Sequence, residues 1–178
     1  GKSIQLGIDA LAKSAQEIID NIAPFEINGR KFIVFDTETY PTLLKNNEIP
    51  SGLVRRWVGS GKSARPQDFP FCISICDGKS AYTLYDTLDN NYNEFRKLAA
   101  IFEDPSIEKI AHNWKFDAHM LANINMKIVG KVHDTVVLTK LVDENRSSYA
   151  LRDLVTKYTG HIVKFEYMLD AYKNTLKI

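Results

Sequence analysis

The stretch Lys31-Phe32-Ile33-Val34-Phe35-Asp36-Thr37-Glu38-Thr39 decides the architecture. An apolar run reads as a buried strand, and it ends on two acids two positions apart. Side chains alternate along a strand, so Asp36 and Glu38 share one side. Two like charges at the end of a core strand repel, and burial adds a desolvation penalty. A divalent cation offsets both effects, because hard Mg²⁺ or Mn²⁺ takes carboxylate oxygens. The competing reading is a solvated turn where the strand leaves the core, since Asp and Thr are ordinary turn residues.

Upstream of this strand, residues 3–22 carry Ile8, Leu11, Ala15, Ile18, Ile19 and Ile22 at helical spacing. This predicts an amphipathic helix ended by Pro24, either docking a neighbour or covering this domain's own core, with the second preferred. Asn28-Gly29 signals a turn, so residues 1–28 form a helical leader and 29–178 the main domain. Downstream, residues 40–68 are rich in Pro and Gly and hold Arg55, Arg56, Trp57, Lys62 and Arg65. Such a stretch suits either base stacking with phosphate contacts or a solvated loop. Residues 69–76 predict a strand, Asp77-Gly78 a hairpin turn, and Ser80–Tyr85 the returning strand. Tyr92–Phe102 has a helical apolar face, Glu108–His112 is a short strand and Phe116–Met126 a helix. Ile128–Val132 is extended, Thr135–Val142 helical, and Ser148–Tyr158 a helix closed by Gly160. The order implies a mixed sheet flanked by helices, an α/β layer architecture.

Bulk properties narrow the field. A chain of 178 residues with 44% hydrophobic and 25% charged residues can build a single core. The net charge of +1, from 23 basic and 22 acidic residues, gives no broad basic face for duplex binding. It is compatible with gripping a few nucleotides at a strand end. Cys72 and Cys76 share a strand face and read as two buried thiols, with no further ligands at zinc spacing. No signal peptide and no apolar run near the ~18 residues of a membrane span is present, which places the chain in the cytoplasm. Gly59-Ser60-Gly61-Lys62-Ser63 lacks the phosphate-loop pattern, and no His pair sits at ligand spacing.

A second polar cluster follows the later strand: Ala111-His112-Asn113-Trp114-Lys115-Phe116-Asp117. Asp117 falls in the first turn of a helix, near its positive dipole end. It either stabilises that helix start or joins Asp36 and Glu38 at one site.

Taken together, Asp36-Thr37-Glu38 and Asn113-Trp-Lys-Phe-Asp117 resemble the first two motifs of the DEDD exonuclease superfamily, whose fold is ribonuclease H-like. The form is closest to the proofreading domains of family A DNA polymerases, phage enzymes included. Val132-His-Asp-Thr-Val-Val-Leu and Tyr149-Ala-Leu-Arg-Asp-Leu extend the likeness over about residues 31–160. The resemblance implies two divalent ions, Mg²⁺ or Mn²⁺, about 4 Å apart. Asp36 would bridge them, Glu38 would bind one, and Asp117 would contribute from the opposite side. Thr37 and Asn113 would help hold the terminal nucleotide, whereas Phe116 is read as core. The substrate would be a single-stranded DNA 3′ end, the partner a DNA polymerase domain in cis or in trans, and the setting the cytoplasm (of the host, if phage-encoded).

The family's third motif is Tyr-x-x-x-Asp or His-x-x-x-x-Asp on a late helix, supplying the fourth carboxylate and a water-orienting group. Tyr149-Ala-Leu-Arg-Asp153 is a literal match, and His161 with Glu166 a looser one. Because the motif comes later in family A relatives, the expectation is that it lies beyond Ile178. Three rivals stand beside the proofreading reading. They are a ribonuclease D-like exoribonuclease, a non-catalytic exonuclease-fold module, and an unrelated α/β domain whose Asp36 and Asp117 never meet.

Overall fold

A computed structural model describes residues 9–40, 56–58, 60–63, 65–67, 69–87 and 90–160 of the chain. They fall into two compact units, Gly1–Asp134 and Thr135–Ile178. In the first unit the strand read from sequence is real and central. It runs over Arg30–Tyr40 and is β3, the third strand in chain order after β1 (Asp9–Leu11) and β2 (Phe25–Ile27). Ile33, Phe35 and Thr37 are buried on one side, while Val34, Asp36 and Glu38 are exposed on the other. One face is therefore packed and one open, the pattern that alternation imposes when a sheet is covered on a single side.

Further strands are β6 (Phe69–Cys76), β7 (Ala81–Tyr85), β8 (Ile107–Ala111) and β9 (Val132–Asp134). The numbers between belong to a separate two-stranded antiparallel ribbon, β4 (Arg56–Val58) with β5 (Arg65–Gln67). The main sheet runs β1-β7-β6-β3-β8-β9, with β2 as a hairpin partner of β3 through Asn28-Gly29. β6 is antiparallel to β3, whereas β8 and β9 follow it in parallel. The parallel half requires helical crossovers. α2 (Asn93–Lys97) and α3 (Ala99–Phe102) lie between β7 and β8, and α4 (Trp114–Ala122) between β8 and β9. Phe35 meets Phe102 edge-on at 5.1 Å, and Ile73, Ile75, Leu84, Phe95 and Leu98 fill the same core.

The expected helix over 3–22 is corrected from residue 9 onward, residues 3–8 lying outside the described residues. Residues 9–11 form an edge strand parallel to Ala81–Thr83, and α1 covers only Ala15–Asn21. The reason is local: Ser14 accepts the Glu17 N–H at 3.2 Å, and Glu17 accepts the Lys13 N–H at 2.8 Å. This capping box starts the helix at Ala15. Ala15 and Ile18 are fully buried, so α1 covers its own core. The single helix read over 92–102 is broken at Leu98 into α2 and α3, with the predicted apolar face intact. The extended piece read at 128–132 begins later, at Val132. Gly130 turns the chain first, with φ +89° and so little room that a Cβ would lie 3.0 Å from the Pro105 carbonyl oxygen. The loop-rich reading of 40–68 gives way in part to the β4–β5 ribbon. The side chains of Arg55, Arg56, Trp57 and Arg65 lie outside the described residues. Cys72 is buried and Cys76 half-buried, both as free thiols.

In the second unit, α5 (Thr135–Val142) forms as read, whereas α6 (Leu151–Thr159) begins three residues later than the Ser148 start read from sequence, and Gly160 closes it with φ +71°. No helix of the described residues is long and apolar enough to cross a membrane.

Two cross-ties hold the start of the parallel strands. Glu108 accepts from Arg30 Nε at 2.6 Å and pairs with His133 Nε2 at 2.9 Å, linking β3, β8 and β9. Lys109 is fully buried, and its Nζ donates to the Asp104 and Val129 carbonyls at 2.6 Å each. Replacing Lys109 by Met keeps the stem but strands both acceptors. Urea denaturation is expected to show a loss of about 2 kcal/mol, and an unchanged midpoint would show that the ammonium holds nothing.

Candidate active site

The ladder between β3 and β8 stops at Val34↔Ile110, while β3 continues beside β6 as far as Tyr40. Beyond Val34 one edge of β3 therefore loses its strand neighbour. This is the place, at the carboxyl ends of parallel strands, where open α/β sheets form crevices. α4 starts just after β8 and brings Asp117, in its first turn, to that edge. Thr37 N–H donates to Asp117 Oδ1 at 3.1 Å, and the Thr37 hydroxyl donates to the same oxygen at 2.5 Å. Asp117 is only 2% exposed. The start of α4 is set by Asn113, in the left-handed region at φ 64°, whose N–H donates to Asp134 Oδ1 at 3.0 Å. Asn is one of the few residues that enters this region readily.

The carboxyls sense one another. Burial pushes Asp117 up to about 7, opposed by the Thr37 hydroxyl and reinforced by the charge of Asp36. Asp36 is also raised, chiefly by desolvation and against the pull of the Thr37 N–H and His112. Asp36 nevertheless keeps an exposed surface, so water screens it and Asp117 is the carboxyl that carries the pH dependence. Glu38 sits across from Cys72 in the register; burial raises that thiol, and the charges of Glu38 and Asp36 add to the rise. Asp36, Glu38 and Cys72 thus share the open face, as alternation requires.

Two neighbouring acids that both resist ionisation suit a hard divalent cation, which would replace their mutual repulsion by attraction. The donor chemistry of Asp36 and Asp117 fits Mg²⁺ or Mn²⁺. Among the described residues, however, no group of three or more His, Cys, Asp or Glu side chains is gathered closely enough to hold a metal ion.

The structure therefore joins Thr37 to Asp117, leaves Asp36 near enough for its charge to act on Asp117, and places Glu38 on the same face as Asp36. Thr37, expected against the nucleotide, is buried and bonded to Asp117. Asn113 is exposed at the head of α4. Tyr149 and Asp153 belong to the second unit and are engaged there. The Tyr149 hydroxyl donates to the Asp143 carbonyl at 2.8 Å, and its ring lies under Lys140. Asp153 accepts from the Ser148 hydroxyl at 2.5 Å. His161 and Glu166 lie outside the described residues. Asp134 was not singled out from sequence, although Val132-His133-Asp134 repeats the strand-into-acid pattern of Phe35-Asp36.

Comparison with known proteins supports a nuclease setting. A family model described as 3′-5′ exonuclease matches residues 61–177, a span that holds Asn113 and Asp117 and begins after Asp36 and Glu38. DNA polymerase I A, chloroplastic, of Oryza sativa subsp. japonica is 34% identical over 100 residues, covering 49% of this chain and 10% of that protein. The chain thus spans about a tenth of the length of this polymerase. Brucella melitensis NrnC with bound Mg²⁺ superposes with a TM-score of 0.56 at 18% identity, over 89% of this chain and 63% of that one. Escherichia coli RNase D, an exoribonuclease involved in structured RNA processing, gives 0.51 at 22% identity, over 74% and 28%. The structural likenesses establish the fold, a mixed sheet of the ribonuclease H-like kind with flanking helices.

The Asp117 carboxyl should leave a pH signature. Its folded-state value of about 7 lies above the ordinary 3.8, so between those values the metal-free folded protein keeps a proton that the unfolded chain has released. The stability it contributes is fully present below pH 4 and is lost as the pH rises toward 7. Asp117→Asn keeps the acceptor for Thr37 without the charge. In EDTA it is expected to be more stable than the parent at pH 8, on the order of 2 kcal/mol, and equal to it near pH 4. Melting curves at the two pH values test this, and a difference independent of pH would refute it.

Proposed function

Because the chain belongs to the 3′-5′ exonuclease family, we propose that it hydrolyses the 3′-terminal phosphodiester of single-stranded DNA as the proofreading domain of a DNA polymerase. The observation that carries this reading is the junction of Asp36, Thr37 and Asp117 at the open end of β3. Likeness in sequence to DNA polymerases, set against likeness in fold alone to an exoribonuclease, favours DNA over RNA.

Asp36 and Asp117 would hold divalent cations, Mg²⁺ or Mn²⁺, with Glu38 joining from the same face. Bound there, such ions supply charge neutralisation at the scissile phosphate and lower the pKa of the attacking water. The chain's own contribution is placement. Thr37 fixes one oxygen of Asp117 with two donors. Asp134 fixes the backbone at Asn113 and hence the first turn of α4. His112 favours the ionised form of Asp36. The local bonds of Tyr149 and Asp153 support reading them as residues that hold α6 and the turn before it. Tyr149→Phe is then expected to leave the rate within about two-fold, whereas a water-orienting tyrosine would contribute about 10²-fold or more.

A small net charge suits an enzyme that takes a frayed strand end from a polymerase, in cis or in trans, within the cytoplasm. The direct test is shortening of a 5′-labelled single strand by this chain with Mg²⁺ or Mn²⁺. Stepwise loss from the 3′ end is expected, abolished by EDTA and reduced at least ~100-fold by Asp36→Ala. A ribose strand run alongside should be cut more slowly. Metal-independent binding without shortening would instead favour a non-catalytic module.

A further inference from the structure

The residues of the open sheet face continue past the carboxylates. Glu38 is paired in register with Cys72, and Cys72 with Tyr85, so the three form one row across β3, β6 and β7. Two strand spacings separate Glu38 from Tyr85, about 10 Å, within reach of the last few nucleotides of an extended strand. Tyr85 is 56% exposed, while Cys72 between them is buried. The aromatic ring is not loose. It stacks against Phe71 with centroids 6.3 Å apart and planes at 21°. The next residue, Asp86, is buried and accepts the N–H groups of Glu94 and Phe95 at 2.8 and 3.1 Å, which anchors the end of β7 to α2.

We propose that Tyr85, backed by Phe71, is a base-stacking subsite that holds a nucleotide next to the Asp36–Glu38 end of the sheet. The chemistry is that of a rigid, half-open aromatic face beside a phosphate-handling site. Every base has a π-face, so such a platform accepts any sequence, with purines favoured by their larger area. Tyr85 acts on binding and register, not on bond cleavage. The subsite rests on the exonuclease reading for its place along the strand, but its contact with bases can be read separately.

Tyr85→Ala and Tyr85→Phe in the 178-residue chain provide the test, and the exposure of Tyr85 makes both compatible with folding. With single-stranded DNA, Tyr85→Ala is expected to raise KM about ten-fold and to leave kcat within a factor of two, while Tyr85→Phe stays near the parent. An abasic residue walked inward from the 3′ end should weaken the parent at one position and leave Tyr85→Ala unchanged there. Fluorescence anisotropy in EDTA reads strand binding without cleavage. Parent-like KM and binding in Tyr85→Ala overturn the subsite while leaving an active exonuclease in place. An inactive parent whose strand binding still falls in Tyr85→Ala overturns the exonuclease reading and supports the subsite. A chain that binds no strand overturns both.

Discussion

Thr37 gives its N–H and its hydroxyl to a single oxygen of Asp117, and through that contact the sheet and α4 share one point. The strand edge at Thr37 has lost β8 as a neighbour, so its N–H would otherwise need water or another partner. Asp117 in turn is buried and would stand as a desolvated acid without those donors. Each group supplies what the other lacks, and a charge-assisted pair of this kind contributes about 1.5–3 kcal/mol when the carboxyl is ionised. The result is a carboxyl held beside Asp36 with one oxygen fixed. The arrangement is unfavourable by itself, because burial opposes ionisation of Asp117 and the charge of Asp36 adds to that, and a cation would relieve both.

The rest of the fold serves this placement. The hydrophobic side of β3 is fixed by Phe35 on Phe102 and by the isoleucines of β6. With that side packed, Asp36 and Glu38 have only the open face to occupy. The start of the parallel strands is pinned by Glu108 and Lys109, and the head of α4 by Asp134. These ties lie at opposite ends of β8, so the direction in which α4 leaves the sheet is determined at both.

The central strand, the shared side of Asp36 and Glu38, and the place of Asp117 in a first helical turn were legible in the sequence. Each depends on local periodicity or on a strand running into polar residues. The convergence of the two motifs was legible only through resemblance, because eighty residues of chain separate Thr37 from its partner Asp117. The helix expected over residues 3–22 fails for a similar reason. Ile8 and Leu11 fit a helical face, yet pairing of residues 9–11 with β7 is a long-range choice that periodicity does not report. The Ser14–Glu17 capping box was present in the sequence as the signal for the true helix start. Asp134 was passed over because a lone acid after a three-residue strand carries little information until its partner at Asn113 is known.

The central claim is that Asp36 and Asp117 form one cation site. Titration of the metal-free chain with Mn²⁺ at pH 8, followed by the loss of the free-ion paramagnetic resonance signal, addresses it most directly. The account predicts saturable binding that is lost in Asp117→Asn and weakens below pH 7 as that carboxyl takes up a proton. Binding of equal strength in parent and variant, or no binding by the parent at pH 8, would contradict it.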